Sequence, residues 1–292
     1  MKRLIVITGP TGVGKTRVAI EVATALGCEI VSADSRQVYR GIPIGTAAPT
    51  ADERARVCHH LVDFLPLDAD YGAWQYERDA LSVLSSLWRR GDTAVLCGGS
   101  MMYVDAVCRG IDPMPSISEA VREAVLSRLA ADGLEVLLEE LREADPEYYA
   151  QVDKRNPRRV AHAVEVCRQA GVPYSSLRRG VAARRDFEVV KVALNVPREE
   201  LFGRINRRVD AMLAQGLVEE ARSVQGLRHL NSLNTVGYKE LFAWMDGAMD
   251  FDTAVSRIKK NTRVYAKKQL TWLRRDPSVR WLSPDDWGEL LV

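Results

Sequence analysis

The stretch "GPTGVGKT", residues 9–16, decides the fold. It has the form Gly-x-x-x-x-Gly-Lys-Thr, in which glycines let backbone N–H groups converge on phosphate oxygens. Such a loop requires a strand before it and a helix after it. The β-branched run "LIVIT" (4–8) supplies the strand. Residues 15–26 supply the helix, with Val18, Val22 and Leu26 on one face and Gly27 as its stop. That helix turns its positive amino end toward the loop. Lys15 adds a point charge, and Thr16 adds a hydroxyl suited to ligating Mg²⁺. The loop is a cradle for a di- or triphosphate, whose identity the eight residues leave open.

Working outward, "EIVSAD" (29–34), "TAVLCGG" (93–99) and "EVVKVALNV" (188–196) read as further strands, with "VRWLS" (279–283) as an edge strand. Thr50 and Glu53 have capping-box spacing, and a long helix is expected over 72–90, apolar at Trp74, Leu81, Leu84 and Trp88. Strands alternating with helices give an α/β class: a P-loop NTPase-like parallel sheet flanked by helices. From 115 to 185 the alternation stops and helix follows helix. Ser116 and Glu119 match a second capping box, and Asn156-Pro157 starts a helix that Gly171 ends. The expected organisation is therefore a core of 1–114 and 186–292, its carboxy-terminal part helical, carrying an all-helical insertion domain at 115–185.

Composition bounds the rest. Nearly half of the 292 residues are apolar and net charge is only +2, so electrostatic recognition must come from local clusters. The five cysteines, Cys28, Cys58, Cys97, Cys108 and Cys167, are scattered and form no C-x-x-C, which argues against a zinc site or a disulfide framework. The apolar run near the amino end stops at Gly-Pro, too short for a signal peptide or a membrane span. A cytosolic (cytoplasmic) location is expected.

What accompanies the cradle narrows its use. An ATPase or GTPase of this class carries an Asp at the end of an apolar strand and a water-positioning residue nearby. Here the third strand ends in Cys97-Gly98-Gly99-Ser100 and the second in Asp34, which opens the turn "DSRQVY". Ligands of a parallel sheet bind beyond the carboxyl ends of its strands, so the loops 9–16, 34–39 and 98–103 should meet at one edge. Asp34 has three open uses there: general base, Mg²⁺ ligand, or cap of the next helix. Ser100, after two glycines, suits either a hydroxyl pressed against a ligand or a plain tight turn.

Several further stretches carry a resemblance: "DSRQVYRG" (34–41), "GTAAPT" (45–50), "HHLVD" (59–63), "GGSMMYV" (98–104), "RNPRRVAHAVEV" (155–166), "RRVDAMLAQGLVEE" (207–220), "TVGYKEL" (235–241) and "TRVYAKKQLTWLRR" (262–275). With the cradle, they resemble in order the motifs of the tRNA dimethylallyltransferases, the bacterial tRNA isopentenyltransferase family, over nearly the whole chain. Three departures stand out. Ala48 replaces a common lysine, Met101-Met102 replaces Gly-Leu, and Ser100 stands at a threonine position.

The resemblance implies transfer of a dimethylallyl group from dimethylallyl diphosphate to N6 of adenosine 37 in tRNA. Gly9, Pro10, Thr11, Gly12, Val13, Gly14, Lys15 and Thr16 would hold the donor diphosphate, with Mg²⁺ on Thr16. Arg208 would neutralise the leaving group, Arg204 being its competitor, while Leu201, Ile205, Val209 and Met212 pack that helix down. Asp34 would take the N6 proton, and Ser100 would orient diphosphate or metal. Asp34, Ser35, Arg36, Gln37 and Ser100 would meet the flipped nucleotide. Further tRNA contacts are implied at Arg122, Arg158, Arg159, Val160, Ala161 and His162. The expected partner is the tRNA anticodon stem-loop, with no membrane, no protein partner and a monomeric chain.

The charge pattern reads toward the same partner. Residues 257–275 contain eight Lys or Arg and no acid, with "KRNPRR" (154–159) and "RRGVAARR" (178–185) as further clusters. Val255, Ile258, Thr262, Tyr265, Gln269 and Trp272 share one helical face of the first. Tyr103, Tyr174 and Trp272 are candidate stacking platforms, with core packing the favoured alternative for Trp272. Two rival functions are a small-molecule kinase with a helical lid, and a nucleotide-switched RNA-binding module. The kinase reading does not account for the carboxy-terminal motifs.

Overall fold

The computed structural model describes residues 1–178, 180 and 183–291. Within them are two compact units: Met1–Arg109 with Arg184–Val292, and Gly110–Ala183. No helix among the described residues is long and apolar enough to cross a membrane.

The first unit is built on six parallel strands: β1 (Arg3–Thr8), β2 (Ile30–Ser32), β3 (His59–His60), β4 (Thr93–Cys97), β5 (Glu188–Leu194) and β6 (Arg280–Leu282), in the order β3-β2-β4-β1-β5-β6. β1 lies inside the sheet, and its alternate residues feed both covering layers. Leu4 and Val6 pack with the helices Ala73–Leu87 and Met101–Arg109, while Ile5 and Ile7 pack with Val18 and Val22 of the helix Lys15–Leu26. The chain leaves β1 toward β2 on one side and later places β5 on the other. This reversal brings the loops after β1 and β4 together as neighbours.

The local signals are met with some shifts. Gly27 ends its helix at φ 61°, and the Thr50–Glu53 capping box is present, as is the Asn156 cap on the helix Pro157–Ala170. The helix at 119 is capped by Ser118 rather than Ser116, because the Ser118 hydroxyl accepts the Val121 N–H. The buried face of Ala73–Leu87 is Tyr76, Ala80, Leu84 and Leu87, which leaves Trp74 half exposed. The two-residue β3 escaped the sequence, too short to show alternation.

The second unit has its own small core, in which Val125, Leu137, Leu141, Val160, Ala161 and Val164 interlock. Asp145, almost fully buried there, accepts hydrogen bonds from Tyr148 N–H, Ser175 N–H and the Ser175 hydroxyl. These satisfy a carboxylate that burial would otherwise penalise.

Candidate active site

The cradle after β1 keeps its shape by backbone geometry. Gly9, Gly12 and Gly14 all have positive φ, at 140°, 82° and 104°. A Cβ on Gly9 would stand 2.7 Å from the Leu194 carbonyl oxygen, and one on Gly12 would stand 2.8 Å from Ile205 Cγ1. Side chains have no room where the loop must fold back on β5 and on the helix Arg198–Ala214. Lys15 donates to the Gly9 and Pro10 carbonyls at 3.1 and 2.9 Å. Burial pulls its ammonium down to about 8, with the Arg208 charge acting in the same direction and Cys97 and Asp34 opposing.

The cradle opens on a cavity of about 780 Å³ lined by Thr11, Gly12, Lys15, Thr16, Asp34, Gln37, Arg208 and Gln269. Its apolar wall comes from Ile205, Val209, Met212 and Ile258. The two arginines differ in their partners. Arg204 donates to the Val13 carbonyl at 3.0 Å and pairs with Glu200. Arg208, one turn on, has no hydrogen-bond partner among the described residues and faces the cavity. Burial lowers its guanidinium below the ordinary arginine value, an effect that the charges of Asp34 and Glu53 oppose.

Asp34 is fixed at one carboxylate oxygen and open at the other. Oδ1 accepts the N–H groups of Arg36 (2.9 Å) and Gln37 (3.4 Å), closing a turn at 35–38 where a capped helix was one expectation. Oδ2 accepts no hydrogen bond among the described residues, and the residue lines the cavity. A carboxylate fixed by one oxygen and open at the other is poised to accept a proton. Gln37 reaches from the same turn to the Thr46 and Ala47 carbonyls through Nε2, at 3.3 and 3.0 Å. Arg36 donates to the Asn231 carbonyl at 2.7 Å.

Ser100 packs against the turn that carries Asp34. Its hydroxyl accepts the Ser35 N–H at 2.7 Å and donates to the Ser35 hydroxyl at 3.0 Å, is buried, and is not part of the cavity wall. Both of these contacts go to Ser35, so Ser100 holds the 34–37 turn.

Oxygen ligands for a hard cation are present. The Thr16 hydroxyl makes no hydrogen bond among the described residues and opens on the cavity with the carboxylates of Asp34 and Glu53. Hydroxyl and carboxylate oxygens of this kind suit Mg²⁺.

The residues implied as RNA contacts separate by burial. In the second unit Arg158, Arg159 and His162 are exposed along the first turns of the helix Pro157–Ala170, and Arg122 is half-buried. Val160 and Ala161 are inside that unit's core, so their side chains are not a contact surface. This correction follows from helical periodicity: residues between exposed 159 and 162 turn inward. Tyr103 is likewise buried, its ring stacked on Tyr76 at 4.0 Å, and it cannot serve as a base platform. Tyr174 sits edge-on to Tyr148 and His162. Trp272, placed in the core by the sequence reading, is instead 40 % exposed and donates its indole N–H to Asp105. Part of the basic cluster 178–185, namely Arg179, Val181 and Ala182, lies outside the described residues.

Sequence reasoning passed over Gln269. From the basic helix Phe251–Leu273, its Oε1 accepts the Thr11 N–H and its Nε2 donates to the Gly99 carbonyl, both at 2.8 Å. It ties the cradle to the loop after β4. The available signal was an uncharged amide on the otherwise apolar inner face of that helix. Tyr265 and Lys268 of the same helix also line the cavity.

The glycine-rich loop, an arginine whose guanidinium has no hydrogen-bond partner among the described residues and a carboxylate with one open oxygen thus share one cavity. The family is now fixed by comparison. Residues 37–276 match the family model described as IPP transferase. The chain is 51 % identical over 286 residues to tRNA dimethylallyltransferase 2 of Parabacteroides distasonis, covering 98 % of this chain and 96 % of that one. It is 52 % identical over 290 residues to tRNA dimethylallyltransferase 2 of Porphyromonas gingivalis, covering 99 % and 97 %. Among solved structures it resembles the tRNA isopentenylpyrophosphate transferase of Bacillus halodurans (TM-score 0.72, 33 % identity, covering 99 % of this chain and 94 % of that one). It also resembles a eukaryotic dimethylallyltransferase acting on tRNA (TM-score 0.82, 25 % identity, 97 % and 74 %). The chain belongs to the IPP transferase family, the tRNA dimethylallyltransferases, which are prenyltransferase enzymes.

Proposed function

We propose that this chain transfers the dimethylallyl group of dimethylallyl diphosphate to N6 of adenosine 37 in the tRNA anticodon stem-loop, releasing diphosphate. The observation that carries this reading is the unpaired Arg208 and the open Oδ2 of Asp34 sharing one cavity with the cradle. The leaving diphosphate rests on the cradle N–H groups, Lys15 and Arg208. As the C1–O bond breaks, its electron pair stays with diphosphate, whose growing charge these groups stabilise. The adenine N6 lone pair forms the new bond to C1, and the N6 proton passes to Asp34 Oδ2. Ile205, Val209, Met212 and Ile258 give the five-carbon chain an apolar wall. The Thr16 hydroxyl would hold Mg²⁺, which when bound would supply further charge neutralisation.

The target base must leave its stack, at a cost of a few kcal/mol. Arg158, Arg159 and His162 of the second unit, and the basic helix Phe251–Leu273, offer charge and donors for gripping the surrounding phosphates. Ser35, Arg36 and Gln37 lie beside the proposed base and meet the flipped nucleotide. The enzyme acts as a monomer in the cytoplasm. Incubation with labelled dimethylallyl diphosphate, Mg²⁺ and unmodified tRNA, followed by digestion, tests the reading. One labelled nucleoside, N6-dimethylallyladenosine, is expected. Unlabelled tRNA together with rapid hydrolysis of nucleoside triphosphates would overturn it in favour of a kinase-like or switch function.

A further inference from the structure

The turn that carries Asp34 is braced by a second wall segment, Pro43–Ala47, through Gln37. What holds that segment is one carboxylate. Glu220 Oε2 accepts the Ile44 N–H and Oε1 accepts the Gly45 N–H, both at 2.8 Å, and the Tyr238 hydroxyl also donates to Oε1. Tyr238 is completely buried, and its phenol lies where a Cβ on Gly45 would be, so glycine at 45 is what admits it. Among the described residues the half-buried Glu220 has no cationic partner; three hydrogen-bond donors offset the cost of drawing its charge partly out of water. A carboxylate accepts at both oxygens, whereas glutamine at 220 would set its own N–H₂ against one of the two amides.

We infer that Glu220, oriented by Tyr238, is a positioning residue for prenyl transfer: it fixes Ile44 and Gly45, hence the Thr46 and Ala47 carbonyls, hence Gln37, whose N–H rests on Asp34. The path runs Tyr238, Glu220, 44–47, Gln37, Asp34, entirely by hydrogen bonds of the first unit. None of its links touches the cradle. Loss of Glu220 therefore acts on the turnover step and spares donor binding. This inference rests on the prenyl-transfer reading above.

The experiment measures prenyl transfer to tRNA by Glu220→Gln, Tyr238→Phe, Gln37→Ala and the Glu220→Gln/Gln37→Ala double variant. Wild-type protein without transfer would count against the prenyl-transfer reading itself, before any variant is compared. With wild type active, Glu220→Gln should lower kcat about tenfold while donor Kd stays within about twofold, and Tyr238→Phe should lower kcat severalfold. Because Glu220 and Gln37 act on one path, the double variant should be no slower than the slower single variant. A folded Glu220→Gln with unchanged kcat, or losses that multiply in the double variant, overturns the inference. If Glu220→Gln does not fold, Tyr238→Phe, which removes one oxygen, decides alone by the same kcat criterion.

Discussion

The cradle and the 34–37 turn face one cavity but are built by different means. The cradle is a backbone structure. Its glycines adopt positive φ against Leu194 and Ile205, and side chains such as Arg204 and Gln269 only steady it from behind. The turn is held by side chains: Ser100 on Ser35, Asp34 on its own following amides, Gln37 on Thr46 and Ala47. A diphosphate of fixed shape and charge can be met by rigid N–H groups, whereas moving a proton needs one carboxylate oxygen held still and the other left free. Damage to the cradle should thus appear in donor affinity, and damage to the turn in turnover.

The sharpest separation comes from Asp34→Asn. Asparagine keeps an oxygen for the Arg36 and Gln37 amides, so the turn survives, but it cannot accept the N6 proton. Turnover should fall roughly 10²–10⁴-fold with donor affinity and RNA binding retained, as read by single-turnover kinetics beside binding titrations. Next in size is Arg208→Ala, which should cost about 2.7–4 kcal/mol of barrier, with Arg204→Ala as its control. Since Arg204 is spent on Val13 and Glu200, its loss should cost on the order of 1 kcal/mol, read as a weaker donor Kd. Equal losses at the two arginines would erase the distinction drawn here.

Ser100→Ala belongs with the turn if the observed geometry governs. It strands the Ser35 N–H, a defect worth about 1–3 kcal/mol, and should lower kcat while leaving donor Kd unchanged. A selective rise in donor Kd would return Ser100 to the diphosphate. The smallest effect is a pH dependence. Burial lowers Lys15 from its unfolded value to about 8, so its charge is present below pH 8 and lost above it. Diphosphate prefers the charged form; donor affinity should be level below pH 8 and weaken by up to about tenfold per pH unit above it. Isothermal titration of the donor across that range reads the slope, and Lys15→Met should flatten it.

Much of this was legible in the sequence, for physical reasons that vary with the element. The cradle could be read because its glycines, lysine and threonine must be contiguous, and β1 could be read because an interior parallel strand needs an uninterrupted apolar run. Arg208 and Asp34 followed from the resemblance, and the cavity joins them. The hold of Ser100 on the turn was not legible because a hydroxyl's partners are its neighbours in space, here Ser35, 65 residues away in the chain. Gln269 and Glu220 were passed over for the same reason, since their partners Thr11 and Ile44 lie 258 and 176 residues away. Val160 and Ala161 show the converse: a contact run carried over whole includes positions that the helix turns into its own core.

The central claim is that the cradle holds a prenyl diphosphate while the free oxygen of Asp34 serves the adenine. It is tested most directly by the structure of this chain with an unreactive thio-analogue of the donor and an anticodon stem-loop RNA. The account predicts the adenine N6 within hydrogen-bond reach of Asp34 Oδ2, about 2.6–3.2 Å, and the diphosphate on Lys15 and Arg208. A carboxylate at 34 bound instead to phosphate or metal, with the adenine elsewhere, would contradict it.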